Sequence, residues 1–403
     1  MIIEIERGTA KGSVTAPPSK SISHRALICA AMCKGESTIH NLSLCDDVLR
    51  TIDCLRTLGV KIDLCGNSAK VYGIDFSKTK PSGILDCGES GSTLRFLISL
   101  AMLSGEEVVF TGSRRLMERS LKVYEEIAKE CGLYFSKSDG KLTVKGPLDA
   151  REYFIDGRIS SQFMSGLLFA LSTMWADSKI IVNSKIESRP YLDLTISVMK
   201  EFGVRIYWDT DYSTMIFGAQ EYKPREFSVE GDMSSAAFIH ALNLFGGKVR
   251  IKGLNKKSLQ GDRLYKKYFS MLKEDFSEID ISNCPDLGPI LFTVAAAKNG
   301  GKFTGTKRLR DKESDRVASM VSELSKFGAE FTVEDDALTV KKSKLHMPSE
   351  VICGHNDHRI VMSLAVICTL FGGKIDGVEA VKKSYPEFFE ALEKLGISIK
   401  YIE

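Results

Sequence analysis

Apolar positions along the chain return in a five-residue pattern, apolar-Gly-apolar-any-apolar, at residues 58–62, 131–135, 202–206, 327–331 and 395–399. Its glycines, Gly59, Gly132, Gly203, Gly328 and Gly396, are separated by 73, 71, 125 and 68 residues, and the one long gap is nearly two short ones. A sixth, degenerate copy is therefore expected near Leu272. A period this long marks supersecondary units that each need neighbours to bury an apolar face. Within a repeat the pattern predicts a short strand, a loop opening on Gly or Ser, an apolar helix, a strand, a second loop, a second helix, and the glycine motif leading into a strand pair. In the first repeat the helices are predicted at 22–32 and 48–58 with a strand at 37–41. The second copies it with helices at 90–103 and 119–131 and a strand at 107–111. The remaining repeats run over 155–206, 227 to about 275, 279–331 and 351–399, the fourth being the least regular. Six repeats predict two domains of three, divided at 222–225, where Lys223-Pro224-Arg225 interrupts the pattern.

Composition narrows the class without naming a chemistry. With 43% hydrophobic and 27% charged residues, the chain reads as an ordinary globular protein long enough for two cores. A formal net charge of +3 is too small to argue for a nucleic-acid groove or a membrane surface, so any anion site must come from local placement of cations. The ten cysteines form no close-paired framework, and the opening Met1-Ile2-Ile3-Glu4 has no signal-like character; both fit a reducing cytoplasm. No uncharged apolar run reaches the roughly 18 residues a membrane span needs.

Candidate chemistry gathers where helices open. Ser19-Lys20-Ser21-Ile22-Ser23-His24-Arg25 leads into the first apolar helix, where unpaired N–H groups, the helix dipole and three kinds of side-chain donor favour phosphate; a Ser N-cap with solvated cations is the plainer alternative. The same place in the second repeat reads Glu89-Ser90-Gly91-Ser92-Thr93-Leu94-Arg95, and its second loop carries Arg114, Arg115 and Arg119, with Arg119 expected to pair with Glu118. The third repeat offers Ser160-Ser161-Gln162 and Ser188-Arg189-Pro190-Tyr191. In the fifth, Asp286 precedes an apolar helix, and 307–316 is the densest charge cluster of the chain; Lys312 and Arg316, spaced i,i+4, would share a helix face with Glu313 beside them. The sixth contributes Asn356-Asp357-His358-Arg359 and Lys383-Ser384-Tyr385. Cys353, His355 and His358 lack a second ligand pair at zinc spacing, and no Walker loop, dinucleotide fingerprint or nucleophile elbow occurs.

Taken in order, the strings SKSISHR, ESGSTLR, RRLMER, SSQF, SRPY, PDLG, DKESDR, NDHR and KSYPEF closely resemble the 5-enolpyruvylshikimate-3-phosphate synthase family over nearly the whole chain. The resemblance implies a two-domain inside-out α/β barrel, each domain three βαβαββ units with pseudo-threefold symmetry. It assigns residues 1–14 plus 224–403 to a discontinuous C-terminal domain and 15–223 to the N-terminal one, with the active site between them. It further implies a monomer that needs no cofactor or metal and transfers the enolpyruvyl group of phosphoenolpyruvate to the 5-hydroxyl of shikimate 3-phosphate through a tetrahedral adduct. By the same resemblance Lys20, Ser21, Arg25, Ser160, Ser161, Gln162, Ser188 and Tyr191 hold shikimate 3-phosphate, with Asp286 and Lys312 beside it. Lys20, Gly91, Ser92, Arg115, Gln162, Arg316, Arg359 and Lys383 hold phosphoenolpyruvate, Arg316 and Arg359 taking its carboxylate, Arg115 and Lys383 its phosphate. Asp286 accepts the hydroxyl proton and Glu313 delivers one to the methylene, with Lys20 and Lys312 close by.

Two positions depart from the commoner family pattern: Glu89 and Arg308 each stand where many members have Asn. A carboxylate near an anionic substrate must turn away or pair with an arginine. Gly91 keeps the small residue that in the family leaves room for the inhibitor glyphosate, so sensitivity is expected. Two other readings stay open at this point. One is the related enolpyruvyl transferase acting on UDP-N-acetylglucosamine, which SKSISHR argues against. The other is a non-catalytic scaffold binding phosphorylated ligands; an RNA-binding role lacks stacking aromatics in the basic loops.

Overall fold

The computed structural model describes residues 1–210 and 213–402, which form two compact units, Pro18–Glu230 and Met1–Pro17 with Gly231–Glu403. The N-terminal unit carries helices α1 (Lys20–Ala31), α2 (Asp46–Thr57), α3 (Gly91–Ala101), α4 (Arg114–Glu118), α5 (Lys122–Cys131), α6 (Ser161–Leu171) and α7 (Arg189–Glu201). The C-terminal unit carries α8 (Met233–Leu244), α9 (Tyr265–Glu274), α10 (Gly288–Ala297), α11 (Arg316–Ser325), α12 (His358–Phe371) and α13 (Phe388–Lys394).

One sheet plan recurs. In the second repeat Leu85–Asp86 runs parallel to Glu107–Thr111, which pairs antiparallel with Lys141–Lys145, itself closed by Tyr134–Ser138. The third and fifth repeats copy this order. The rest exchange strands along the chain. Phe227, where the periodicity starts the fourth repeat, instead pairs with Ile39 in the sheet of the first, because Glu226–Ser228 runs parallel to Glu36–His40. Lys11–Thr15 supplies the parallel partner of Lys248–Lys252, and Ile2–Ile5 fills the middle of the sixth repeat's sheet between Gly373–Asp376 and Ile399–Ile402.

Helices divide by burial as their sequences dictate. Those apolar all round, α1, α3 and α6 in one unit and α8, α10 and α12 in the other, are buried over nearly their whole length and form the centre of each core. The second helix of a repeat, such as α2, α5 or α11, is amphipathic and buries one face. The five motif glycines all adopt positive φ, between 67° and 98°, a conformation a side chain disfavours, and they turn the chain from helix into strand. At the degenerate copy Leu272 is buried as expected, and α9 ends instead on extended Asp275. The predicted helix at 119–131 begins later, at Lys122, and a separate short helix, α4, precedes it: Arg119, extended with ψ 143°, carries the chain from α4 into α5. Among the described residues no helix is long and apolar enough to cross a membrane.

Candidate active site

Most of the predicted residues sit at or near the start of a helix of their repeat. In the N-terminal unit Lys20 is the first residue of α1, and its ammonium lies 2.6 Å from Asp47, in the first turn of α2. Arg25, 2% exposed, spends its guanidinium on neutral acceptors: Nε donates to Thr195 Oγ1 at 2.7 Å, and the terminal nitrogens to the carbonyls of Ser21 and Tyr191 at 2.7 and 3.1 Å. It also lies over the Phe96 ring, 5.1 Å from its centroid. Burial pushes its pKa down to about 10. Ser160 caps α6, Ser161 is that helix's first residue, and Ser188, left-handed at φ 56°, precedes α7 and Tyr191. The structure joins the second and third repeats through Gln162, whose Oε1 accepts from Arg95 at 2.7 Å while its amide nitrogen donates to Ser92 at 2.9 Å. Gly91 is the first residue of α3, and Arg115 is exposed on α4. Glu118, expected on Arg119, accepts instead from Arg114 at 2.7 Å, since a single helical turn brings i and i+4 together.

Behind these groups runs a line of buried hydroxyls. His24 Nδ1 meets Thr51 at 2.7 Å, Thr51 meets Thr93 at 2.7 Å, and Thr93 donates to the α3 cap Ser90 at 2.7 Å, tying the starts of α1 and α3 together through α2. Burial first, then Lys20 and Arg25, drives the His24 pKa well below the ordinary value, so its ring is neutral.

The C-terminal unit gathers a balanced ion network. Asp286, in the 3-10 turn Pro285–Leu287 before α10, accepts from Arg316 at 3.0 Å and from Arg359 at 2.8 Å, with Lys312 3.6 Å away. Arg316, 1% exposed, also donates to Glu313 at 2.7 Å and, through Nε, to Asp357 at 2.8 Å. Burial opposes its charge, but Asp357, Glu313 and Asp286 together raise its pKa. The helix begins only at Arg316, capped by Asp315, and Lys312 is extended, so these groups converge through the Arg316 fork and not through helical spacing. Lys383 holds the side-chain oxygen of Asn356 at 2.8 Å. Arg359 also donates to Ser234 at the start of α8, so the fourth repeat, for which sequence offered no site residue, contributes one. Asp47 and Ser234 were missed as participants, and Asp357 and Arg95 were named only within their strings, without a role; the signal was position, since each lies at or near a helix start within the repeat. Of the two departures, Glu89 is half-buried just before Ser90, and Arg308 lies close enough to Lys312 to repel its charge.

Fixed cations at successive helix starts, arranged without clustered metal ligands among the described residues, define an α/β protein built for small polyanionic substrates. The family profile described as EPSP synthase (3-phosphoshikimate 1-carboxyvinyltransferase) matches residues 6–392. The 3-phosphoshikimate 1-carboxyvinyltransferase of Clostridium kluyveri is 38% identical over 415 residues, covering 98% of this chain and 97% of its own. That of Clostridium acetobutylicum is 39% identical over 416 residues, with the same coverage of 98% and 97%. A solved EPSP synthase from Acinetobacter baumannii shares the fold, with a TM-score of 0.80 at 22% identity, covering 99% of this chain and 100% of that one. The chain belongs to the EPSP synthase family.

Proposed function

We propose that the chain transfers the enolpyruvyl group of phosphoenolpyruvate to the 5-hydroxyl of shikimate 3-phosphate, releasing phosphate, and that residues of both units act on one substrate pair. The observation that carries this reading is Asp286 held at once by Arg316, Arg359 and Lys312, with Glu313 on the same Arg316. Two carboxylates in unlike surroundings are what a reaction needing one proton removed and one delivered requires. The carboxylate of phosphoenolpyruvate, arriving on Arg316 and Arg359, takes over bonds that now go to Asp286. Asp286 is thereby released to accept the hydroxyl proton as that oxygen bonds to the vinyl carbon, while Glu313 in its protonated form gives a proton to the methylene. As phosphate leaves the tetrahedral adduct, Glu313 takes a proton back from the methyl group and the double bond re-forms. The phosphates and the developing charge are held by preplaced donors: Lys20, Arg25, Ser160, Ser161 and Ser188 for shikimate 3-phosphate, and Gly91, Ser92, Gln162, Arg115 and Lys383 for phosphoenolpyruvate. The recurring sheet order supports three βαβαββ repeats per unit with pseudo-threefold symmetry, in a protein acting as a monomer in the cytoplasm.

Phosphate release from phosphoenolpyruvate tests the reading. It is expected with shikimate 3-phosphate as acceptor and not with UDP-N-acetylglucosamine; the reverse result, or none with either, overturns it. Asp286→Ala and Glu313→Gln are expected to bind both substrates and to lower kcat at least 100-fold, in the range typical of general acid–base groups. Near-normal turnover in either removes its role.

A further inference from the structure

We propose that Thr51 is a positioning residue: its hydroxyl is the middle link that holds the opening of α1, with Lys20 and Ser21, in register with the opening of α3, with Gly91 and Ser92. This rests on the function proposed above, because the two openings carry groups assigned there to shikimate 3-phosphate and to phosphoenolpyruvate.

His24, Thr51 and Thr93 stand on three different helices, and each is 0% exposed. Helices α1 and α2 are pinned twice, one turn apart: Lys20 meets Asp47 at 2.6 Å, and four residues on His24 Nδ1 meets Thr51 Oγ1 at 2.7 Å. Helix α3 closes the figure, since Thr93 Oγ1 lies 2.7 Å from Thr51 Oγ1 and 3.3 Å from the carbonyl of Asp47. Counting protons gives the line one direction. The Thr93 hydroxyl has a single proton, which goes to Ser90 Oγ at 2.7 Å with the Asp47 carbonyl as second acceptor, so Thr93 accepts from Thr51. Thr51 in turn accepts from His24, whose neutral ring therefore carries its proton on Nδ1. The Nε2 of His24, without a partner among the described residues, is then a bare acceptor, which is better tolerated in a core than an orphaned N–H.

A valine has nearly the shape of threonine, and apolar packing joins buried helices as firmly as a buried hydroxyl pair does. Packing is non-directional, however, and sets the register of one helix against another only loosely. A run of hydrogen bonds at 2.7 Å fixes distance and angle together, and each link polarises the next. Register matters at this place because the line has Lys20 and Asp47 at one end and Gly91 and Ser92 at the other. Two substrates that react with each other are sensitive to it, since a misplacement of about 1 Å costs about 100-fold in rate. Neither Thr51 nor His24 is assigned to a substrate; both act through the helix openings they hold.

Thr51→Val and Thr51→Ser in the full chain decide it, through kcat, the Kd of shikimate 3-phosphate by calorimetry, and Tm. Thr51→Val removes the link while each opening keeps its own donors, so kcat is expected to fall roughly 10- to 100-fold with the Kd within about threefold of wild type. Thr51→Ser keeps the hydroxyl and loses a buried methyl; it is expected to melt below wild type yet to turn over within about threefold of it. Turnover that follows the hydroxyl and not Tm is what a structural role alone does not produce. Near-normal turnover in Thr51→Val, equal slowing in the two variants, or a loss of shikimate 3-phosphate affinity as large as the loss of kcat overturns the proposal. A slower Thr51→Ser than expected overturns it whether or not Thr51→Val folds. Should wild type release no phosphate from phosphoenolpyruvate, the proposed function fails, and hydrogen exchange at the Thr93 and Leu94 amides still decides the lock: faster exchange in Thr51→Val than in Thr51→Ser upholds it, and equal exchange overturns it.

Discussion

Lys312 faces Asp286 across 3.6 Å, with Glu313, Arg316 and Arg308 also acting on its charge. Burial pushes its pKa down to about 8; Asp286 opposes that shift, and Arg316 and Arg308 reinforce it. The ammonium is therefore charged below about pH 8 and loses its proton above, taking a cation away from the proposed base. In a pH profile of kcat/KM for phosphoenolpyruvate, an alkaline limb is expected near pH 8. Lys312→Arg keeps the charge at higher pH, so its limb should move up by at least about one unit; a limb that stays put assigns it to another group. Lys312, Glu313 and Arg316 were legible as a charge cluster because a run so dense invites pairing. How they pair was not legible, because it depends on Asp357 and Asp286, which are far away in sequence. Arg119 shows the opposite failure. Its adjacent carboxylate suggested a partner, but α4 turns Glu118 onto Arg114.

Between its strand and α12, the segment from Cys353 to Asp357 reaches three of the proposed phosphoenolpyruvate groups. Asn356 accepts from Lys383, Asp357 accepts from Arg316, and Arg359 follows two residues on. To do so the chain turns left-handed at two successive non-glycine residues, His355 at φ 49° and Asn356 at φ 51°. Glu323, 1% exposed on α11, holds that turn from behind: it accepts from Cys353 N–H and from His355 Nε2, both at 2.8 Å, and pairs with Lys326 at 2.9 Å. Burial would push its carboxyl up, but the bonds from His355, Cys353 and Lys326 bring it down to about 2. A pKa lowered on folding gives stability that is present above the ordinary value of 4.5 and is lost as pH falls towards 2. Glu323→Gln is therefore expected to cost roughly 1–3 kcal/mol at pH 7 by urea melts. That deficit should shrink in melts at pH 3.5, and a deficit that does not change with pH refutes the ionic anchor. The helix starts themselves could be read from sequence, since polar residues before apolar runs recur. The left-handed pair could not, because neither His nor Asn demands that backbone in the way the motif glycines do.

Across the whole chain, spacing alone revealed six repeats, since each glycine motif ends one helix with a backbone few other residues adopt. Which strand completes which sheet was hidden: Ile2–Ile5, Lys11–Thr15 and Glu226–Ser228 look like any short strand, and only their partners place them. The consequence is an unequal dependence on the first residues. The N-terminal unit takes every strand of its sheets from Pro18–Glu230. The C-terminal unit needs Lys11–Thr15 as the sole partner of Lys248–Lys252 among the described residues, and Ile2–Ile5 to connect Ile399–Ile402 to its sheet. Ile3 and Ile5, 0% and 1% exposed, also lie in its core, each worth about 1.5–3 kcal/mol of burial. Set against the roughly 5–15 kcal/mol by which native proteins exceed their unfolded state, losing two isoleucines and three ladders is decisive. A chain of residues 18–403 is expected to keep amide protection in α1, α3 and α6 and to lose it in α10 and α12 by hydrogen exchange. A fragment of 18–230 should show the same N-terminal protection on its own. Protected amides in α10 and α12 of the shortened chain would mean that the C-terminal core closes without its borrowed strands.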